Sequence, residues 1–82
     1  MNIAEIRTSI ETALKNSPYV LRQSKQRRLL DGLGPGVLSN LDSAGKGPAE
    51  KIMVGRKVAY PREAYINWLV SRIAPAPTKE TI

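Results

Sequence analysis

Apolar residues near the start of the chain recur at the spacing of an amphipathic helix. The stripe consists of Ile3, Ile6, Ile10, Ala13 and Leu14, with mostly polar or charged residues between them. Asn2 is a suitable N-cap, and the segment 16–18, Asn-Ser-Pro, is expected to end the helix. Such a stripe must be covered, and the pattern allows either the rest of the same domain or a second copy of the chain to cover it.

A short β-prone run at residues 19–21 precedes the next helical pattern. Ser24 is a plausible N-cap for a helix that reaches about Leu33, and either Gly32 or Gly34 is placed to end it. This segment is expected to be the first helix of a closely linked pair.

The sharpest break in the chain, Gly-Pro-Gly at residues 34–36, separates that helix from a second short one. Proline is favourable at a first helical position, so the second helix is predicted from Pro35 to Ala44, with Gly45 ending it. Its inward side is expected to hold Val37, Leu38, Leu41 and Ala44. Its outward side is expected to hold Ser39, Asn40, Asp42 and Ser43. Two short helices joined by about three residues are typical of a helix-turn-helix.

Residues 51–60 predict a β-hairpin that turns at Gly55-Arg56, because glycine at the first loop position suits a type II′ turn. In a two-residue hairpin Met53 lies opposite Val58, and this pair is predicted to face the core. A last helix is predicted over residues 61–74, with Pro61 in its first turn.

The aromatic residues near and within this last helix, Tyr60, Tyr65 and Trp68, are expected to fill the core. Residues 75–82 are rich in proline and lack periodicity, and are predicted to be a disordered tail. The remaining residues, 1–74, are predicted to form one domain that is mostly α-helical with a small hairpin.

Composition argues against an enzyme, since the 82 residues include neither cysteine nor histidine. These absences remove the usual zinc ligands and the commonest general base, and no acidic pair forms a recognisable catalytic motif. We expect no catalytic residue, cofactor or metal. No membrane-spanning apolar run or signal peptide is evident, which predicts a soluble, cytoplasmic protein.

The net charge of +6 makes a polyanion the first partner to consider. The charge is concentrated in the middle of the chain, where residues 22–57 hold eight basic and three acidic side chains. Four basic residues cluster at Arg22, Lys25, Arg27 and Arg28. They form either an ordinary solvated helix face or a surface that neutralises DNA phosphates.

Four short motifs follow one another in the second half of the chain: Leu33-Gly34, Gly45 with Pro48, Gly55-Arg56, and Trp68-Leu69. Over residues 29–69 they resemble small DNA-binding proteins of the excisionase and AlpA type, relatives of MerR-like winged domains. The resemblance implies a winged helix-turn-helix with an extra N-terminal helix, encoded by a phage or mobile element. It also implies control of excision or transcription, cooperative copies or a dimer, and a recombinase or integrase as a possible partner.

Residues expected to contact double-stranded DNA come partly from the charge pattern and partly from the resemblance. The resemblance places recognition-helix contacts at Gly36, Ser39, Asn40 and Ser43, and wing contacts at Arg56 and Lys57. The charge pattern adds Arg22, Lys25, Arg27, Arg28, Lys46 and Lys51. An alternative is a protein-interaction module that inhibits or adapts a host or recombinase protein, because the second helix has no basic residue before Lys46.

Overall fold

Four helices and a three-stranded antiparallel sheet make up residues 2–74, the part of the chain that this computed structural model describes. The elements in chain order are α1 (Ile3–Leu14), β1 (Tyr19–Leu21), α2 (Lys25–Asp31), α3 (Pro35–Ser43), β2 (Ile52–Val54), β3 (Lys57–Pro61) and α4 (Arg62–Ser71). The tail predicted at residues 75–82 lies outside the described residues.

Helix α1 begins with a capping box. The Asn2 side chain accepts a hydrogen bond from the Glu5 backbone at 2.9 Å, and the Glu5 carboxylate accepts one from the Asn2 backbone at 2.9 Å. The predicted cap is therefore confirmed. Ile10 and Leu14 are buried in the core, and α1 packs against α4. Of the two ways of covering its apolar stripe, the structure shows packing within the same chain.

The central strand of the sheet is β3, which pairs with β1 on one side and with β2 on the other. Val20 lies opposite Tyr60 in the first pairing, and Met53 lies opposite Val58 in the second. The predicted hairpin register is confirmed, and Gly55 adopts the positive φ of 65° that a primed turn requires at its first position. The run at residues 19–21 is a strand as predicted, and it extends the hairpin to a three-stranded sheet.

Met53 does not face the core, because 62% of its surface is exposed. It lies on the edge strand β2, whereas α4 packs against β1 and β3. Val58, on the central strand, is half-buried against the core. The prediction that both residues face the core is therefore wrong for Met53, whereas Val58 does pack against the core.

Aromatic side chains fill the core as expected. Tyr60 and Tyr65 are fully buried and Trp68 nearly so, with ring centroids 6.3 Å apart for the two tyrosines and 5.7 Å apart for Tyr65 and Trp68. The Trp68 indole donates a hydrogen bond to the Lys46 carbonyl at 2.8 Å, which ties α4 to the loop after α3. Pro61 is the last residue of β3 and not part of the first helical turn, because its backbone is extended, at ψ 144°.

Helices α2 and α3 begin where the sequence predicts, but α2 ends at Asp31, about two residues early, and α3 ends at Ser43, one residue early. The Ser24 hydroxyl accepts a hydrogen bond from the Arg27 backbone at 3.3 Å, and Gly32 caps α2 with a positive φ of 73°. Pro35 opens α3, and Gly45, also at a φ of 73°, follows its end. The two helices are thus separated by three residues, 32–34.

The inward side of α3 differs from the prediction. Leu38 is fully buried and Leu41 is half-buried in the core, as expected. Val37 is 49% exposed and Ala44 is also exposed, so both predictions are wrong. Asp42, the last residue but one of this nine-residue helix, instead points inward, where its carboxylate binds Arg22.

Candidate nucleic-acid interface

Three basic residues that are distant in sequence meet beside the hairpin turn. Arg22 follows β1, Arg56 lies in the turn between β2 and β3, and Lys57 is the first residue of β3. These three residues line one surface depression of about 360 Å³ together with Gln23 and Val58. We call Arg22, Arg56 and Lys57 the basic clamp. Together these three residues place positive charge around the hairpin turn.

The sheet explains why the basic clamp forms. Because β1 pairs with β3, the residue after β1 reaches the beginning of β3, and the Arg22 backbone donates to the Val58 carbonyl at 2.9 Å. The Lys57 ammonium group lies 3.3 Å from the Gln23 side-chain oxygen, a contact that joins the same two segments. Strand pairing therefore brings a residue of the predicted helical cluster to the hairpin turn.

Arg22 is held by two neighbours on other elements. Its Nε donates to the Tyr60 hydroxyl at 2.9 Å, and its Nη2 donates to Asp42 Oδ2 at 2.6 Å. The Tyr60 hydroxyl in turn donates to the same Asp42 oxygen at 2.6 Å. Three elements, the turn after β1, helix α3 and strand β3, are joined at this point.

The surroundings of Arg22 and Tyr60 shift the pKa values of both side chains. Burial, followed by the hydrogen bond to Asp42, raises the pKa of Tyr60 to about 12. Burial alone would lower the pKa of Arg22, but its hydrogen bonds to Tyr60 and Asp42 outweigh that effect and raise it. At neutral pH the arginine is therefore charged and the tyrosine protonated, as the hydrogen bonds require.

Asp42 was expected to point outward, and this expectation is wrong. Only 4% of its side chain is exposed. The chain also passes so close to it that a side chain at position 47 would overlap Asp42 Oδ1. Asp42 therefore belongs to the structural support of the site and not to its outer surface.

Arg27, one of the four residues of the basic cluster, lies inside the protein and not at the candidate interface. Its side chain is fully buried and makes two hydrogen bonds to Asp31, at 2.7 and 2.9 Å. Its remaining donors reach the carbonyls of Arg22 at 2.7 Å and Leu33 at 2.8 Å. The prediction that Arg27 contacts DNA is wrong, because every nitrogen of its guanidinium group is bound inside the protein.

Lys25 and Arg28 remain exposed on α2. They line a second depression of about 460 Å³ with Leu29, which is 82% exposed, and with Gly32. This surface combines positive charge with one large apolar side chain, unlike the basic clamp.

The outer side of α3 carries small polar groups. Gly36, Asn40 and Ser43 are exposed, and Ser39 is half-buried. The exposed positions have one amide and one hydroxyl side chain, groups that can hydrogen-bond base edges or phosphate oxygens. Lys46 and Lys51 are exposed in the loop between α3 and β2, which adds two positive charges next to the helix and the hairpin in sequence.

Sequence reasoning missed Asp42 and Tyr60 as residues that orient Arg22. Neither position carries a local signal for this role, since Asp42 lies 20 positions and Tyr60 38 positions from Arg22. Within residues 2–74 no group of three or more acidic residues is placed to hold a metal ion. The helices described are also too short and too polar to cross a membrane.

No protein-family model matches the sequence, and no curated protein or solved structure is significantly similar to it.

Proposed function

We propose that the protein binds duplex DNA as a winged helix-turn-helix of the excisionase or AlpA type. In this proposal α3 is the recognition helix and the β2–β3 hairpin is the wing. The observation that carries the proposal is the basic clamp, in which Arg22, Arg56 and Lys57 line one depression at the turn of the hairpin.

Phosphate binding follows from the chemistry of the clamp. Arginine and lysine side chains neutralise backbone phosphates, and each neutralised phosphate releases condensed counterions. Exposed Arg56 and Lys57 can approach the DNA backbone directly, since the turn places them at the end of the hairpin. The wing would therefore supply affinity and orientation without reading sequence.

Sequence preference would come from α3. Asn40 is exposed there, and an asparagine amide can form a bidentate pair with adenine in the major groove. Gly36 in the first turn has nothing within 4 Å of the place where a Cβ would be, which lets the backbone approach DNA closely. Control of excision or of transcription is the purpose that the resemblance implies for such binding.

The test is a titration with duplex DNA at low and high salt. If several phosphates are contacted, the affinity should fall by orders of magnitude between about 50 and 200 mM salt. The double variant R56A/K57A should bind more weakly to every sequence, with a salt slope smaller by about two. The variant K15A removes an exposed charge at the end of α1 and is the control, with the wild-type slope expected.

Two results would contradict the proposal. The absence of measurable DNA binding even at low salt would remove DNA as the ligand. An unchanged salt slope in R56A/K57A would remove the hairpin from the interface. Asn40→Ala provides a further check, because it should alter sequence preference by about 1–3 kcal/mol if Asn40 reads a base.

A second candidate is a protein-interaction module, and the exposed Leu29, which lines a depression with Lys25 and Arg28, favours it. A leucine that is 82% exposed gains nothing from a phosphate backbone, whereas a protein partner could cover it. Affinity purification with and without nuclease separates the two candidates. A partner that persists after nuclease treatment and is lost in L29S supports protein binding, whereas loss of all partners after nuclease treatment supports DNA.

A further inference from the structure

We infer that Asp42 and Tyr60 are positioning residues that hold Arg22 as a fixed donor for one DNA phosphate in the basic clamp. This inference rests on the proposed function, and it goes further by naming which buried groups prepare the contact. Neither Asp42 nor Tyr60 needs to touch DNA for this role, since 4% of the Asp42 side chain and none of Tyr60 is exposed.

The hydrogen bonds of Arg22 leave part of its guanidinium group for a ligand. Nε is directed to Tyr60 and Nη2 to Asp42, whereas Nη1 has no hydrogen-bond partner within residues 2–74. The Arg22 side chain is 17% exposed, and Arg22 is one of the residues that line the depression beside Arg56 and Lys57. A phosphate in that depression can accept a charge-assisted hydrogen bond from Nη1 while Asp42 and Tyr60 keep their own bonds.

Fixing the guanidinium in advance reduces the entropy that DNA binding must remove. A free arginine side chain loses rotamer entropy when it is fixed in one geometry. In this fold, that freedom is already lost to Asp42 and Tyr60 before DNA arrives. The same network joins α3 to β3, so it also fixes the proposed recognition helix relative to the hairpin.

Charge alone predicts the opposite effect of Asp42. A carboxylate 2.6 Å from a phosphate-binding arginine repels the phosphate, so its neutralisation should tighten DNA binding. If Asp42 instead positions Arg22, neutralisation should weaken binding despite the more favourable charge. The sign of the change in affinity therefore separates the two roles.

The experiment compares D42N with E50Q in binding a fluorescein-labelled duplex of mixed sequence at low salt. Both variants remove one negative charge, but Glu50 is exposed in the loop before β2 and takes no part in the network. We expect D42N to bind about tenfold more weakly than wild type, the loss of roughly one charge-assisted hydrogen bond. E50Q should bind as tightly as wild type or slightly more tightly.

A second variant tests whether Asp42 acts through Arg22. R22K keeps the positive charge, but a lysine cannot bridge Asp42, Tyr60 and a phosphate with one planar group. R22K should also lose about tenfold in affinity, and adding D42N to it should cause no further loss. A merely structural role of Asp42 would instead give additive losses in the double variant.

Folding is checked by thermal melts, and affinities are compared below the melting temperature of each variant. Should D42N fail to fold, Y60F replaces it, because this variant removes only the hydroxyl that binds Arg22 and should weaken binding severalfold. D42N that binds as tightly as E50Q, or Y60F that binds like wild type, would overturn the inference. Absence of binding by the wild-type protein would instead overturn the proposed function.

Discussion

The buried pair of Arg27 and Asp31 is expected to be the polar interaction on which the fold depends most. The Asp31 carboxylate accepts hydrogen bonds from the Arg27 guanidinium, from the Leu33 backbone N–H at 2.8 Å and from the Tyr65 hydroxyl at 2.8 Å. The Arg27 side chain is 0% exposed and that of Asp31 is 1% exposed, so water cannot replace any of these bonds. Substituting Asp31 with alanine therefore leaves the charge of Arg27 uncompensated in the core.

The size of the effect follows from burial. Removing one partner of a buried ion pair typically costs about 3–5 kcal/mol, because the remaining charge stays desolvated. The Arg22 and Leu33 carbonyls still accept from Arg27, but they carry only partial charge. Since small domains are stable by about 5–15 kcal/mol in total, D31A should lose a large part of that stability.

Urea denaturation followed by circular dichroism measures the loss as a lower midpoint at an unchanged slope. Arg7→Met is the matched control, because the Arg7 side chain is 32% exposed and its contacts with Glu11 and Glu63 are open to water. Exposed pairs of this kind contribute about 0–1 kcal/mol. A loss in D31A no larger than that in R7M would refute the argument that burial makes the Arg27 pair indispensable.

Three further predictions concern the core and its supports. Gly47→Ala should lower the urea midpoint, because the new Cβ would overlap Asp42 Oδ1 and displace that carboxylate. Trp68→Ala should cost about 3–5 kcal/mol in the same assay, since it removes a buried aromatic ring. Burial and Asp42 raise the pKa of Tyr60 to about 12, so its contribution is complete below about pH 10 and is lost as the pH rises towards 12. The urea midpoint of Y60F should therefore fall less than that of the wild type between these two pH values.

Local signals explain why most element boundaries could be predicted. Asn2, Ser24 and Gly32 act on the backbone within a few residues, so their caps follow from nearby sequence. The hairpin register also follows from a two-residue turn at Gly55. The pairing of β1 with β3 could not be predicted in this way, because three residues with one half-buried face do not specify a partner about 40 positions away.

The candidate site was harder to predict, because charge does not reveal the direction of a side chain. Arg27 and Arg28 are adjacent and chemically identical, yet the first is fully buried and the second exposed. Helical periodicity places them about 100° apart, but identifying the buried one requires knowing that Asp31 and Tyr65 lie on the inner side. Asp42 was misassigned for the same reason, since its partners Arg22 and Tyr60 belong to other elements.

Burial of the Arg22–Asp42 and Arg27–Asp31 pairs leaves the basic surface with fewer acidic side chains than the sequence suggests. Between residues 22 and 57, two of the three acidic side chains, Asp31 and Asp42, are enclosed with an arginine each. Glu50 is then the one exposed acidic side chain of this segment. Six basic side chains remain exposed in the same segment: Lys25, Arg28, Lys46, Lys51, Arg56 and Lys57. The net charge of the segment is unchanged, but a phosphate approaching it meets few repulsive groups, because the carboxylates that orient the arginines are inside the fold.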